Sequence, residues 1–207
     1  MKTSDTARKG VSTLTYIRPC PAKAPPRTLN PRIHLRTKAT VFTALLSIIV
    51  ILDIATKRWA LDALRDRSME LFGGLVPLTL AFNKGAAFGL TIGSDPRLFF
   101  IPVSVIALVL LGGLLLRTDE RDLFRILAIS LVFAGALGNL IDRVRWTRGV
   151  VDFIGPINLG FMNWPIFNVA DMAISCGAVA LAISFWTEEE QTADETSGAP
   201  AEGNPAT

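Results

Sequence analysis

Residues 39–59 read ATVFTALLSIIVILDIATKRW, and the part from 39 to 52 contains no charged side chain. A helix needs about twenty apolar residues to cross ~30 Å of hydrocarbon at about 1.5 Å per residue. Three more apolar runs follow, at 98–116, 124–141 and 166–186. A chain of 207 residues is too short to surround four such helices with protein. The sequence therefore predicts four membrane-spanning helices rather than the buried helices of a soluble domain.

The overall composition agrees with a membrane protein. Hydrophobic residues make up 50% of the chain and charged residues only 19%, whereas about a quarter of a soluble domain is charged. Tryptophan concentrates at the interfaces between membrane and water. All four tryptophans lie at or just beyond a predicted span end, at Trp59, Trp146, Trp164 and Trp186.

The two ends of the chain are polar and oppositely charged. Residues 1–38 hold nine Lys or Arg and one acid, and residues 187–207 hold six acids and no base. Such segments bury too little apolar surface to fold. We therefore predict a disordered basic tail at 1–38, a four-helix membrane domain at 39–187 and a disordered acidic tail at 188–207. The excess of positive charge belongs to a tail, so no nucleic-acid partner is predicted.

The distribution of lysine and arginine predicts the orientation, because dense positive charge next to a span stays in the cytoplasm. That charge is densest before the first span and in the short second loop, which holds Arg117, Arg121 and Arg125. Both segments are predicted to be cytoplasmic, and so are both termini. The longer first and third loops are then predicted to lie at the outer face.

The scarcity of histidine and cysteine excludes several kinds of catalytic site. His34, the single histidine, lies in the basic tail and outside the membrane domain. Cys20 and Cys176 form no C-x-x-C pair. A Ser-His-Asp triad and an H-E-x-x-H zinc site are therefore excluded. No metal or other cofactor is predicted.

Polar residues near the span ends are candidates for function, because an ionisable group at a membrane is costly. Three groups share one helical face each, and the predicted topology brings all of them to the outer surface. They are Asp53-Thr56-Lys57, Asn139-Asp142-Arg143 and Asn168-Asp171. Any one group could be an ion pair that reaches water or a packing contact between helices. Three at one surface favour a shared polar site.

The two outer loops add a strand and a further acid. LVPLTLAF at 75–82 is typical of a strand to which an extended peptide could pair, and Asn83-Lys84-Gly85 is typical of a turn. A simple interfacial hairpin is the alternative. The third loop places Asp152 in a short apolar strand, 19 residues before Asp171. Two carboxylates close together in a medium of low dielectric share one proton, and such a pair can hydrolyse a peptide with water alone.

Five motifs in this order resemble those of lipoprotein signal peptidase, also called signal peptidase II. They are Asp53-x-x-Thr56-Lys57, FNKGAAFG, GNLIDR, VVDF and FNVAD. The resemblance covers about residues 40–187 and leaves both tails outside. It implies an all-α membrane protein, a four-transmembrane-helix bundle with a small extracytoplasmic β-sheet formed mainly by the first outer loop.

The resemblance also implies an activity and its residues. The enzyme would be an aspartic endopeptidase of the bacterial cytoplasmic membrane that cuts diacylglyceryl-modified prolipoproteins just before the lipidated lipobox cysteine. Asp152 and Asp171 would form the catalytic pair. Supporting residues would be Asn139, Asp142, Arg143, Asn168, Asp53 and Lys57, and substrate-binding residues would be Asn83, Gly85, Ala86 and Phe88. No cofactor is implied, and the partners would be the prolipoprotein and membrane lipid, with the enzyme a monomer.

Two other classes of protein are compatible with four spans and these acids. One is a small proton- or ion-coupled transporter, although its relay acids should lie near the bilayer midplane and not at one surface. The other is a non-catalytic four-span scaffold, whose loops need no acids. Asparagine substitution at Asp152 or Asp171 distinguishes a protease from both.

Overall fold

A computed structural model of the chain describes residues 31–85 and 95–197, and the side chains of 38–85 and 95–188. The described chain contains four long helices: α1 (Pro31–Ala63), α2 (Arg97–Arg117), α3 (Leu123–Arg145) and α4 (Val169–Ser197). Each includes a segment long and apolar enough to cross a membrane. The predicted four-helix membrane fold is confirmed.

The first and last helices extend beyond the predicted spans. Helix α1 begins at Pro31 rather than at residue 39, and α4 continues to Ser197 rather than ending near 186. Residues 31–38 and 188–197, predicted to be disordered, are therefore helical here. Hydropathy marks the part of a helix that lies in lipid, whereas residues such as Glu, Gln and Ala prolong a helix into water. The rest of both predicted tails lies outside the described residues.

Helix α3 is the centre of the bundle and contacts α1, α2 and α4. Small residues permit this close packing. A Cβ atom on Gly135 would overlap the carbonyl oxygen of Ala170 in α4, and one on Gly138 would lie 2.8 Å from Asp53 Oδ2 in α1. Helix α2, by contrast, is apolar on all sides and buries only Leu115.

A three-stranded antiparallel sheet covers one end of the bundle, in the order β1 (Met69–Leu71), β2 (Val76–Asn83), β3 (Val150–Ile154). A single 3-10 turn at Phe72–Gly74 joins β1 to β2, and β4 (Ile157–Asn158) pairs with β5 (Asn163–Trp164) in a separate small sheet. The predicted strand at 75–82 is therefore present, shifted by one residue. The third strand comes from the third loop and not from the first.

The position of β2 in the middle of the sheet limits where a peptide could pair with it. Strand β1 pairs with β2 only from Val76 to Leu78, whereas β3 pairs with β2 as far as Asn83. The β1-side edge of residues 79–83 is free of strand pairing among the described residues. Within that segment Ala81 is directly opposite Asp152 of β3. A peptide could therefore pair with residues 79–83 of β2, and not with the whole strand as expected from the sequence.

The other end of the bundle is held by polar contacts of a different kind. Lys38 of α1 donates to the backbone oxygens of Thr118, at 2.7 Å, and Leu116, at 3.3 Å, where α2 ends. Arg125 of α3 donates to Ser184 Oγ of α4 at 2.9 Å. These contacts join α1 to α2 and α3 to α4 far from the sheet.

Candidate active site

Asn139 of α3 is the point at which the three predicted polar groups meet, beneath the sheet. Its Nδ2 donates to Asp171 Oδ1 at 2.7 Å. Its Oδ1 accepts hydrogen bonds from Lys57 Nζ and from Asn168 Nδ2, both at 3.2 Å. One amide therefore connects α1, α3 and the start of α4, and the predicted convergence of the three groups at one end is observed.

Thr56, predicted to share the face of Asp53 and Lys57, does not join this network. Its hydroxyl donates to the backbone oxygens of Leu52, at 2.7 Å, and Asp53, at 3.1 Å, within its own helix. A threonine in a helix commonly satisfies its hydroxyl in this way. Its side chain is thus bound to the helix backbone rather than to the site.

Asn168, which is fully buried at 0% exposure, links the two aspartates. Its Nδ2 donates to Asp152 Oδ1 at 2.7 Å. Its Oδ1 accepts from the backbone N–H of Asp171 at 2.9 Å, while Asp171 Oδ2 accepts from the backbone N–H of Asn168 at 3.2 Å. This reciprocal pair is a capping box at the start of α4. The same local motif that begins the helix therefore orients both carboxylates.

The two aspartates differ in their surroundings. Asp152 is only 2% exposed on β3, whereas Asp171 is half-buried in the first turn of α4. Burial, together with the nearby charge of Asp171, raises the pKa of Asp152 to about 6, although hydrogen bonds from Asn168 and Asn83 act in the opposite direction. A carboxyl with such a pKa holds a proton readily at mildly acidic pH.

Lys57 lies between two buried carboxylates. Its Nζ is 2.7 Å from Asp53 Oδ2 and 3.0 Å from Asp142 Oδ2, and the Lys57 and Asp53 side chains are 4% and 1% exposed. The alternative of an ion pair that reaches water is therefore wrong for Asp53 and Lys57. Asp142 also pairs with Lys57 and not with its neighbour Arg143, because Asp142 faces α1.

Each of these carboxylates also holds a backbone amide next to a catalytic candidate. Asp53 Oδ1 accepts from the N–H of Ala170 at 3.0 Å, directly before Asp171. Asp142 Oδ2 accepts from the N–H of Val151 at 3.2 Å, directly before Asp152. Lys57 thus fixes, through two acids, the backbone positions of both aspartates.

Arg143 supplies positive charge beside the pair. It interacts electrostatically with Asp171, Asp152 and Asp142, and its guanidinium lies 5.3 Å from the ring centroid of Phe100. Phe100 was not among the predicted site residues, because an aromatic ring inside an apolar run gives no polar signal. The ring holds the arginine on the α2 side of the site.

The end of β2 brings two of the predicted substrate-binding residues to the site. The exposed Asn83 side chain donates a hydrogen bond to Asp152, and its Oδ1 accepts from the N–H of Gly85 at 2.8 Å. Gly85 has a φ of +100°, and a Cβ atom there would overlap the ring of Phe100. Only glycine fits this turn. Ala86 and Phe88 lie outside the described residues.

Comparison with known proteins gives consistent matches over the membrane domain. A family model described as signal peptidase (SPase) II matches residues 45–187. A protein of Maridesulfovibrio salexigens named lipoprotein signal peptidase is 40% identical over 145 residues, which cover 66% of this chain and 89% of that protein. A protein of the same name from Geobacter sulfurreducens is 39% identical over 160 residues, covering 74% and 96%.

Two solved structures, both described as bacterial membrane enzymes, have a similar fold. One is 32% identical with a TM-score of 0.64 and covers 79% of this chain and 94% of its own. The other is 35% identical with a TM-score of 0.61 and covers 70% and 91%.

Proposed function

The chain belongs to the signal peptidase II family, and from this premise we propose that it is a membrane aspartic endopeptidase acting on lipid-modified prolipoproteins. It removes the signal peptide by cutting just before the lipobox cysteine that carries diacylglycerol. The observation that carries the proposal is the single Asn168 side chain, whose Nδ2 donates to Asp152 and whose Oδ1 accepts from the Asp171 amide. This arrangement supports a pair of carboxylates that act together.

The proposed chemistry needs one proton on the pair and one water molecule. The ionised carboxylate removes a proton from water as the water oxygen attacks the scissile carbonyl, while the protonated carboxyl hydrogen-bonds the carbonyl oxygen. The resulting diol then collapses, the C–N bond breaks, and the leaving nitrogen takes a proton from the pair. The positive charge of Arg143 and Lys57 favours the ionised partner.

The proposed path of the substrate follows the free half of β2. An extended peptide that adds to the edge at residues 79–83 continues the line of β1 and runs past Ala81, which is paired with Asp152. Backbone hydrogen bonds would hold the peptide regardless of its sequence. Two residues after this segment, Gly85 packs closely on Phe100 of α2.

We place the site at the outer face of the bacterial cytoplasmic membrane, with both termini in the cytoplasm. The arginines of the short second loop, on which the predicted orientation depends, lie at the end of the bundle opposite the aspartates. The lipid group of the substrate would remain in the outer leaflet beside the site.

Cleavage of a synthetic lipidated substrate tests the proposal directly. The purified full chain should cut a diacylglyceryl prolipoprotein peptide once, immediately before the modified cysteine, as followed by gel shift and mass spectrometry. The same peptide with an unmodified cysteine is the matched control and should be cut far more slowly. Absence of cleavage of the lipidated peptide, or cleavage at another bond, would contradict the proposal.

The raised pKa of Asp152 predicts a pH dependence. Below about 6 this carboxyl keeps its proton, and above about 6 it loses it. The ionised Asp152 can no longer donate a hydrogen bond to the carbonyl oxygen. We therefore expect kcat/KM for the lipidated peptide to fall as pH rises through about 6, the pKa of Asp152.

A variant of Asn83 tests whether the fall in kcat/KM at higher pH comes from Asp152. The Asn83 hydrogen bond favours the ionised form of Asp152, so Asn83→Ala should move the fall in kcat/KM to higher pH, whatever its effect on KM. A profile that stays flat from acidic to alkaline pH, or a shift in the other direction, would contradict the assignment.

A further inference from the structure

A small cleft of about 60 Å³ opens between the ends of α1 and α3 that lie under the sheet. Of the described residues, Arg58, Arg145 and Trp146 line its rim, Ile54 and Ile141 line its apolar part, and the Lys57–Asp142 pair closes it on the inside. Neither Asp152 nor Asp171 contributes to it. The cleft therefore adjoins the supporting residues of the active site but is separate from the catalytic pair.

We propose that this cleft binds the phosphate headgroup of an anionic phospholipid. Lys57 is already neutralised by its two carboxylates, whereas Arg58 and Arg145 have no carboxylate partner among the described residues. The guanidinium of Arg145 lies 4.7 Å from the centroid of the Trp146 ring, which lines the same cleft. Two guanidinium groups without a carboxylate partner, one of them packed on an aromatic ring, match a phosphate.

The surroundings of the cleft favour a membrane lipid over a free anion. Arg58 directly precedes Trp59, and tryptophans mark the level of the headgroups. From Arg58 an apolar stripe descends along α1 through Ile54 to Ile51, three to four residues apart on one face. Ile51 is 65% exposed, and Val144 on α3 is 64% exposed. The cleft is too small for an acyl chain, so the chains would lie along this stripe while the phosphate occupies the rim.

Lipid binding to the purified full chain in detergent tests the proposal without reference to peptidase activity. The probes are fluorescent phosphatidylglycerol and phosphatidylcholine with identical acyl chains. We expect the wild-type protein to bind phosphatidylglycerol about 30-fold more tightly, since each of two arginines near a headgroup contributes about fivefold. Excess inorganic phosphate should not displace the lipid, because it lacks the apolar part.

Variants locate the site. The double variant Arg58→Gln, Arg145→Gln should lose most of the preference for phosphatidylglycerol. The matched control, Arg117→Gln with Arg121→Gln, removes the same charge from exposed positions at the other end of the bundle and should keep it. The comparison of the two lipids on the wild-type protein still tests the proposal if the double variant fails to fold. Equal affinity for the two lipids, displacement by inorganic phosphate, or an unchanged preference in a folded double variant would overturn the proposal.

Discussion

Replacing either aspartate of the proposed pair by asparagine should lower kcat/KM for the lipidated peptide by about 10⁴-fold or more. Asparagine has nearly the same shape but can neither accept the proton of the attacking water nor release one to the leaving nitrogen. The contacts of Asn168 with Asp152 Oδ1 and with the Asp171 backbone can persist in these variants. The loss should therefore come from the chemistry and not from the fold.

The measurement is a rate of peptide cleavage with purified Asp152→Asn and Asp171→Asn proteins. Asp62→Asn is the matched control, because Asp62 is an exposed aspartate in the last turns of α1, and it should cleave at the wild-type rate. Thermal unfolding of all three variants should resemble that of the wild type. Cleavage by a folded Asp152→Asn or Asp171→Asn protein within tenfold of wild type would refute the role of that residue.

Lys57→Met should be the most damaging single change outside the proposed catalytic pair. Methionine fills a similar volume but leaves Asp53 and Asp142, both buried, without their counter-ion. Removing one partner of a buried ion pair typically costs about 3–5 kcal/mol of unfolding free energy. Both carboxylates also hold the backbone amides that precede the catalytic candidates, so kcat should fall together with stability.

Unfolding in detergent and the rate of cleavage measure these two effects. Arg65→Met, at an exposed position just after α1, is the control and should change neither. Adding Asp53→Asn and Asp142→Asn to Lys57→Met removes the uncompensated charge and should restore much of the lost stability. If Lys57→Met unfolds at the wild-type midpoint, the ion pair does not stabilise the site as we describe.

The four spans could be predicted from the sequence because hydropathy depends on the sequence of each segment alone. The same holds for the strand before Asn83 and for the spacing that puts Asn139 and Asp142 on one face of α3. The family resemblance rests on such local motifs. The predicted helix ends were less accurate, since α1 and α4 continue into sequences that hydropathy does not mark.

The partners of the buried charges could not be predicted in this way. Lys57 and Asn139 are far apart in the chain, and their contact depends on how closely α1 approaches Gly138 of α3. Only that approach decides that Asp142 faces Lys57 rather than Arg143. The pairing of β3 with β2 likewise joins two different loops, and it restricts the edge that a peptide could use.

The first helix begins and the last helix ends at the same end of the bundle. Lys38 and Ser184 are anchored at the end remote from Asn139, and α1 runs from Pro31 towards the aspartates while α4 runs away from them to Ser197. A soluble reporter attached through α1 or α4 would therefore join the bundle at the end remote from the proposed catalytic pair and would not obstruct the peptide. Fusions to a fluorescent protein and to a secreted phosphatase, which are active in different compartments, would show on which side of the membrane this end of the bundle lies.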